Sequence, residues 1–105
     1  MSDEYIISFD DKKQSEFVFK ILKKSDYLSR MERDFLEFKI NKFDEDSKYN
    51  LRVYIHGNDL LISLCYNFDF FYNIILSAIG DRLYTCRLEG GDIDDAIPLR
   101  KAFRL

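Results

Sequence analysis

Two runs of alternating apolar residues face each other across four polar positions, and no other stretch of the chain restricts the fold so tightly. Leu51, Val53 and Ile55 precede His56-Gly57-Asn58-Asp59, and Leu60, Ile62 and Leu64 follow it. Side chains on a strand alternate between its two faces, so each run has one apolar edge. A two-residue turn at Gly57-Asn58, where glycine tolerates a positive φ, folds the runs into a hairpin with all six apolar side chains on one face. A turn centred on Asn58-Asp59 preserves the same face. Arg52, Tyr54, His56, Leu61, Ser63 and Cys65 then occupy the other.

The remaining elements are read outward from this hairpin. Tyr5 to Phe9 is a short β-prone run, and Asp10 or Asp11 can cap a helix after it; Asp11 with Gln14 has the spacing of a capping box. In that helix Phe17, Val18, Ile21 and Leu22 are expected on the buried side with lysines opposite, and the helix should end near Ser25. Leu28, Met31, Phe35 and Phe38 fit a helical period, whereas Leu36, Phe38 and Ile40 alternate as in a strand. A change from helix to strand near Phe35 follows, with the strand over Leu36 to Lys42. Asn67 or Asp69 can open a second major helix, and Gly80 can close it with a left-handed cap. Leu83 to Leu88 reads as the last strand, and Pro98 as the start of a short terminal helix through Leu99, Ala102 and Phe103. The order β-α-(α)-β-β-β-α-β-(α) predicts an α+β fold: a mixed, mainly antiparallel sheet of about five strands with helices packed on one face.

A chain of 105 residues suits one domain spanning 1–105, able to bury roughly two-thirds of its unfolded surface. Its 47% hydrophobic and 16% aromatic content, beside 33% charged residues, argues against disorder and against a membrane span. Phe70 to Ile79 is apolar nearly all round, which leaves two readings: the centre of the core, or a face joining two copies as a homodimer. The start, Met1-Ser2-Asp3-Glu4-Tyr5, lacks the basic and apolar regions of an export signal. Two cysteines without C-x-x-C spacing suit a reducing compartment. A cytoplasmic location is therefore expected. Net charge of −3 opposes binding to phosphate backbones, so no direct nucleic-acid partner is expected. Lys12, Lys13, Lys20, Lys23 and Lys24 are interspersed with Asp10, Asp11, Glu16 and Asp26, as on a solvated helix face.

No pattern points to chemistry. With the Gly57-Asn58 turn, Cys65 lies opposite Asn50, about 20 Å from His56 at strand rise, and Ser63 about 13 Å from it. Neither forms a dyad with the single histidine. Cys86 reads as a small buried hydrophobe. Glu89, Asp92, Asp94 and Asp95 could offer oxygen ligands to a hard cation, yet a calcium loop counted from Asp92 would need glycine where Ile97 stands. Gly90-Gly91 lacks the rest of a phosphate-binding loop. No metal or cofactor is expected, and the chain reads as non-enzymatic.

Charge layout favours protein binding. Between Arg52 and Arg82 there is no Lys or Arg, while Asp59, Asp69 and Asp81 are acidic. Acidic runs at Asp44-Glu45-Asp46 and Asp92-Ile93-Asp94-Asp95, with seven tyrosines in the chain, could face a basic partner. The predicted contact set is Asp44, Glu45, Asp46, Tyr54, Asp59, Glu89, Asp92, Asp94 and Asp95. In this general character the chain resembles the small immunity proteins that bacteria make against their own polymorphic or contact-dependent toxins. The resemblance implies binding to a cognate toxin domain, often a nuclease, and blockade of its substrate-binding surface; it assigns no individual residue. Two rivals are a homo-oligomeric structural or regulatory subunit, and a small enzyme using a carboxylate or Cys86.

Overall fold

In the computed structural model, which describes residues 3–39, 49–64, 68–89 and 96–103, the hairpin closes at Gly57-Asn58. Its strands are β4 (Leu51–His56) and β5 (Asp59–Leu64), with Leu51 opposite Leu64, Val53 opposite Ile62 and Ile55 opposite Leu60. Gly57 sits at φ 59°, a region that costs a residue with a Cβ about 1 kcal/mol or more. A third strand, β1 (Asp3–Phe9), pairs with β5, and β6 (Tyr84–Leu88) pairs with the outer edge of β1.

On the far side of the hairpin the structure departs from the sequence expectation. β3 (Phe35–Phe38) pairs with β4, and the segment expected to be helical instead forms β2 (Leu28–Met31), paired with β3. The resulting sheet has six strands in the order β2-β3-β4-β5-β1-β6, every neighbouring pair antiparallel, one strand more than the mixed, mainly antiparallel sheet of about five that was expected. The physical reason lies outside the segment. A strand here satisfies backbone groups along the open edge of β3, and the tight connection is closed by Glu32 N–H donating to the Phe35 carbonyl at 2.9 Å. Lys39 N–H donates to the Tyr27 carbonyl at 2.9 Å and closes the other end. The expected end of the β3 strand, Ile40 to Lys42, lies outside the described residues, as does Cys65.

Helix α1 (Lys12–Leu22) begins at the expected cap, where Asp11 Oδ1 accepts from Gln14 N–H at 3.0 Å. Its buried stripe is Ser15, Val18, Phe19 and Leu22, rotated from the expected one, while Phe17 and Ile21 face outward, 51% and 36% exposed. Ser15 explains the rotation. Its buried hydroxyl lies 2.6 Å from the Gly57 carbonyl and 2.9 Å from that of Lys12, which fastens the helix to the hairpin turn. The exposed Phe17 ring meanwhile supports the Arg82 guanidinium at 4.1 Å.

Helix α2 (Phe68–Ile79) places Phe71, Ile75, Ala78 and Ile79 in the core and ends, as expected, at Gly80 with φ 61°. Burying a side chain such as Phe71 or Ile75 contributes about 1.5–3 kcal/mol. The four-residue α3 (Leu99–Ala102) follows Pro98 and buries Leu99 and Ala102, with Phe103 just beyond. All three helices share one apolar cluster with Ile7, Phe9, Leu36, Val53, Leu60, Ile62 and Cys86, so they cover the same face of the sheet. None of them is long and apolar enough to cross a membrane. The fold is therefore α+β, and among the described residues the helices lie on one side of the sheet and none lies on the other.

Candidate functional site

Antiparallel register turns this second face into ordered rows, because directly opposite residues point the same way. One row reads Arg30, Glu37, Arg52, Ser63 and Glu4 across β2, β3, β4, β5 and β1. It continues to Glu89, whose N–H donates to the Glu4 carbonyl at 3.2 Å. The adjacent row is Phe35, Tyr54, Leu61, Ile6 and Arg87, and a third is His56, Asp59, Ser8 and Thr85. Ile6, Phe35, Tyr54 and Leu61 stand outside the core cluster. The central row is thus apolar from Phe35 to Ile6 and ends in Arg87, whose Nη1 donates to Ser8 Oγ at 3.0 Å in the third row.

At one end of the first row lies a closed ion pair. The Glu37 side chain is 5% exposed and its Oε2 accepts from both Nε and Nη2 of Arg52, the former at 2.9 Å. Arg30 approaches its other oxygen at 3.8 Å. Aromatic rings surround the Arg52 guanidinium: Tyr49 at 4.2 Å, Phe35 at 5.4 Å and Tyr54 at 5.7 Å. Burial works against the Arg52 charge, but the hydrogen bonds and charge of Glu37 more than offset it, and the pKa is raised. Tyr49 Oη and Ser63 Oγ, 3.4 Å apart, extend the network to β5.

The other end of the row is electrostatically open. Glu4 and Glu89, both exposed, border a recess of about 180 Å³ whose remaining lining is Tyr54, Leu61, Ile62 and Ser63. The Glu89 carboxyl is held above the usual glutamate range, first by a hydrogen bond with Glu4, then by the Glu4 charge, with a further contribution from desolvation. Among the described residues, no Lys, Arg or His stands within ion-pair distance of either carboxylate.

Of the predicted contact residues, Tyr54 and Glu89 meet at this recess, and Asp59 stands on the same face opposite His56. Asp44, Glu45, Asp46, Asp92, Asp94 and Asp95 lie outside the described residues. Sequence reasoning missed Glu4, Glu37 and Arg52. Glu4 had a legible signal, because alternation along β1 places it with Ile6 and Ser8 opposite the buried Ile7 and Phe9.

The chemical alternatives gain nothing from the geometry. Cys86 is opposite Ile7 on the helix-covered face, whereas His56 is on the other, so the two cannot pair. Burial pushes the Cys86 thiol up to about 11, far from a nucleophile's range. Among the described residues, no group of three or more His, Cys, Asp or Glu side chains is placed to hold a metal ion. Comparison of the chain with protein-family models, with curated proteins and with solved structures gave no match.

Proposed function

We propose that this chain is a non-enzymatic binding module whose sheet face opposite the described helices docks onto a basic protein, in the manner of an immunity protein covering the substrate site of a cognate bacterial toxin. The observation that carries the reading is the layout of that face. The apolar and aromatic stretch Phe35, Tyr54, Leu61 and Ile6 lies beside charges that are paired at Glu37 and Arg52 and, among the described residues, have no cation within ion-pair distance at Glu4 and Glu89. Aromatic side chains supply rigid contact area, and uncompensated carboxylates orient and speed encounter with a positive surface. A toxin groove that attracts nucleic-acid phosphates would present such a surface.

Affinity capture with the full chain, followed by mass measurement of the complex, tests the reading. The expected result is a one-to-one complex with a basic protein, together with protection of cells that express that protein. The complex should be lost in a Glu4→Lys, Glu89→Lys double variant that still folds. Capture of no protein sensitive to this charge reversal would refute it. A native mass showing a dimer of this chain, with no second protein, would support instead the homodimer through Phe70 to Ile79.

A further inference from the structure

The recess is smaller than an ordinary small-molecule site, and its size suits a side-chain tip. Its volume of about 180 Å³ falls below the roughly 300–1,000 Å³ of small-molecule sites. Apolar contributions come from Leu61 and the Tyr54 ring, and acceptors from two carboxylates and the Ser63 hydroxyl.

The same face shows what this combination of groups holds. On one side of Tyr54, the Arg52 guanidinium is gripped by the Glu37 carboxylate, ringed by Tyr49, Phe35 and Tyr54, and donates from Nη1 to Tyr54 Oη at 3.3 Å. On the other side, Tyr54 borders the recess with Glu4 and Glu89. Carboxylate and aromatic ring therefore meet on both sides of one tyrosine, and among the described residues only the Glu37 side holds a guanidinium within ion-pair distance.

We infer that the recess between Glu4, Glu89 and Tyr54 receives one cationic side-chain tip from the partner, an arginine guanidinium in preference to a lysine ammonium. This rests on the binding reading above and supplies its anchor. The preference follows from shape. A guanidinium is planar, spreads its donors across two acceptors and stacks on an aromatic ring, whereas an ammonium is a compact and strongly hydrated charge. A buried arginine seated in a pocket is also a common form of interface hot spot.

The test uses methylguanidinium and methylammonium as probes, titrated separately into the full chain at low ionic strength and followed by amide and carboxyl chemical shifts. Methylguanidinium should saturate with a Kd on the order of millimolar. It should move the signals of Glu4, Tyr54, Leu61, Ser63 and Glu89 together and shift the Glu89 titration to lower pH. Methylammonium should bind at least about threefold more weakly. Glu4→Gln with Glu89→Gln should abolish the saturable response without unfolding the chain, because it removes a like-charge contact. Uniform, non-saturating shifts, an unchanged response in the double variant, or tighter binding of methylammonium would overturn the inference.

The partner complex separates the two proposals. A complex weakened less than about threefold by the double glutamine variant would sink the anchor while leaving the binding reading intact. Saturable methylguanidinium binding without any captured protein would do the reverse. The expected loss is tenfold or more for the double variant, with no change for Lys20→Gln on the helical side.

Discussion

Removing Arg52 should expose how much of this sheet depends on one charge pair. Glu37 is buried to 5% exposure of its side chain and Arg52 to 25%, and the two stand directly opposite each other on β3 and β4. Breaking a fully buried pair from one side costs about 3–5 kcal/mol, mainly because the surviving charge stays desolvated. Here Arg30, 3.8 Å away, can partly compensate, and Arg52 is itself a quarter exposed, so Arg52→Met should cost about 2–3 kcal/mol. In a domain of this size that lowers Tm by roughly 8–12 °C. Replacing both partners, Glu37→Leu with Arg52→Met, removes the stranded carboxylate and should bring stability back to within about 1 kcal/mol of the parent. A double-mutant cycle by urea unfolding, with constant m-value, should then give a coupling of about 2 kcal/mol. If the single variant loses less than about 0.5 kcal/mol, Glu37 is not stranded by the loss of Arg52 and the reasoning fails.

Three further outcomes follow from separate parts of the molecule. Because Glu89 binds its proton more tightly in the fold than in the unfolded chain, the Glu4–Glu89 contact favours folding below the ordinary glutamate range and loses that contribution as pH rises through the raised value. Glu89→Gln should therefore gain stability over the parent as pH rises above the ordinary glutamate range, and urea midpoints showing the opposite slope would contradict the shift. At about pH 8 a thiol with a pKa of about 11 is ionised roughly one part in a thousand, so mass spectrometry after iodoacetamide should find Cys86 unlabelled until the protein unfolds. Labelling of the native chain at the unfolded rate would show the site to be open. Gly57→Ala meets nothing within 4 Å, so its cost should be purely conformational, about 1 kcal/mol, and smaller for Gly57→Asn. Equal costs for the two in thermal unfolding would point to a different turn geometry.

The parts of the fold legible in the sequence are those whose interactions are short-range. The hairpin could be read because alternation and the Gly57 turn lie within fourteen residues (Leu51 to Leu64) and agree with each other. The Asp11 cap, the Gly80 stop and the Pro98 start were legible for the same reason: each completes or ends hydrogen bonding with residues three or four positions away. In α1 the local pattern identified a helix but not its rotation. That depended on Ser15 reaching Gly57, 42 residues along the chain.

What only the tertiary structure decided shares one physical cause, pairing between distant segments. Leu28, Met31, Phe35 and Phe38 carry a helical spacing, and the connection at Arg33-Asp34 lacks the glycine or asparagine that marks a hairpin turn. The edge of β3 nevertheless made β2 a strand, since backbone groups are satisfied there by a ladder. Glu4 and Glu89 lie at opposite ends of the sequence and become neighbours only when β1 enters the sheet between β5 and β6. The sequence by itself determined which residues alternate, cap and turn. Which carboxylates share a recess and which arginine is already paired depended on strand order, and strand order depends on contacts that no local pattern encodes.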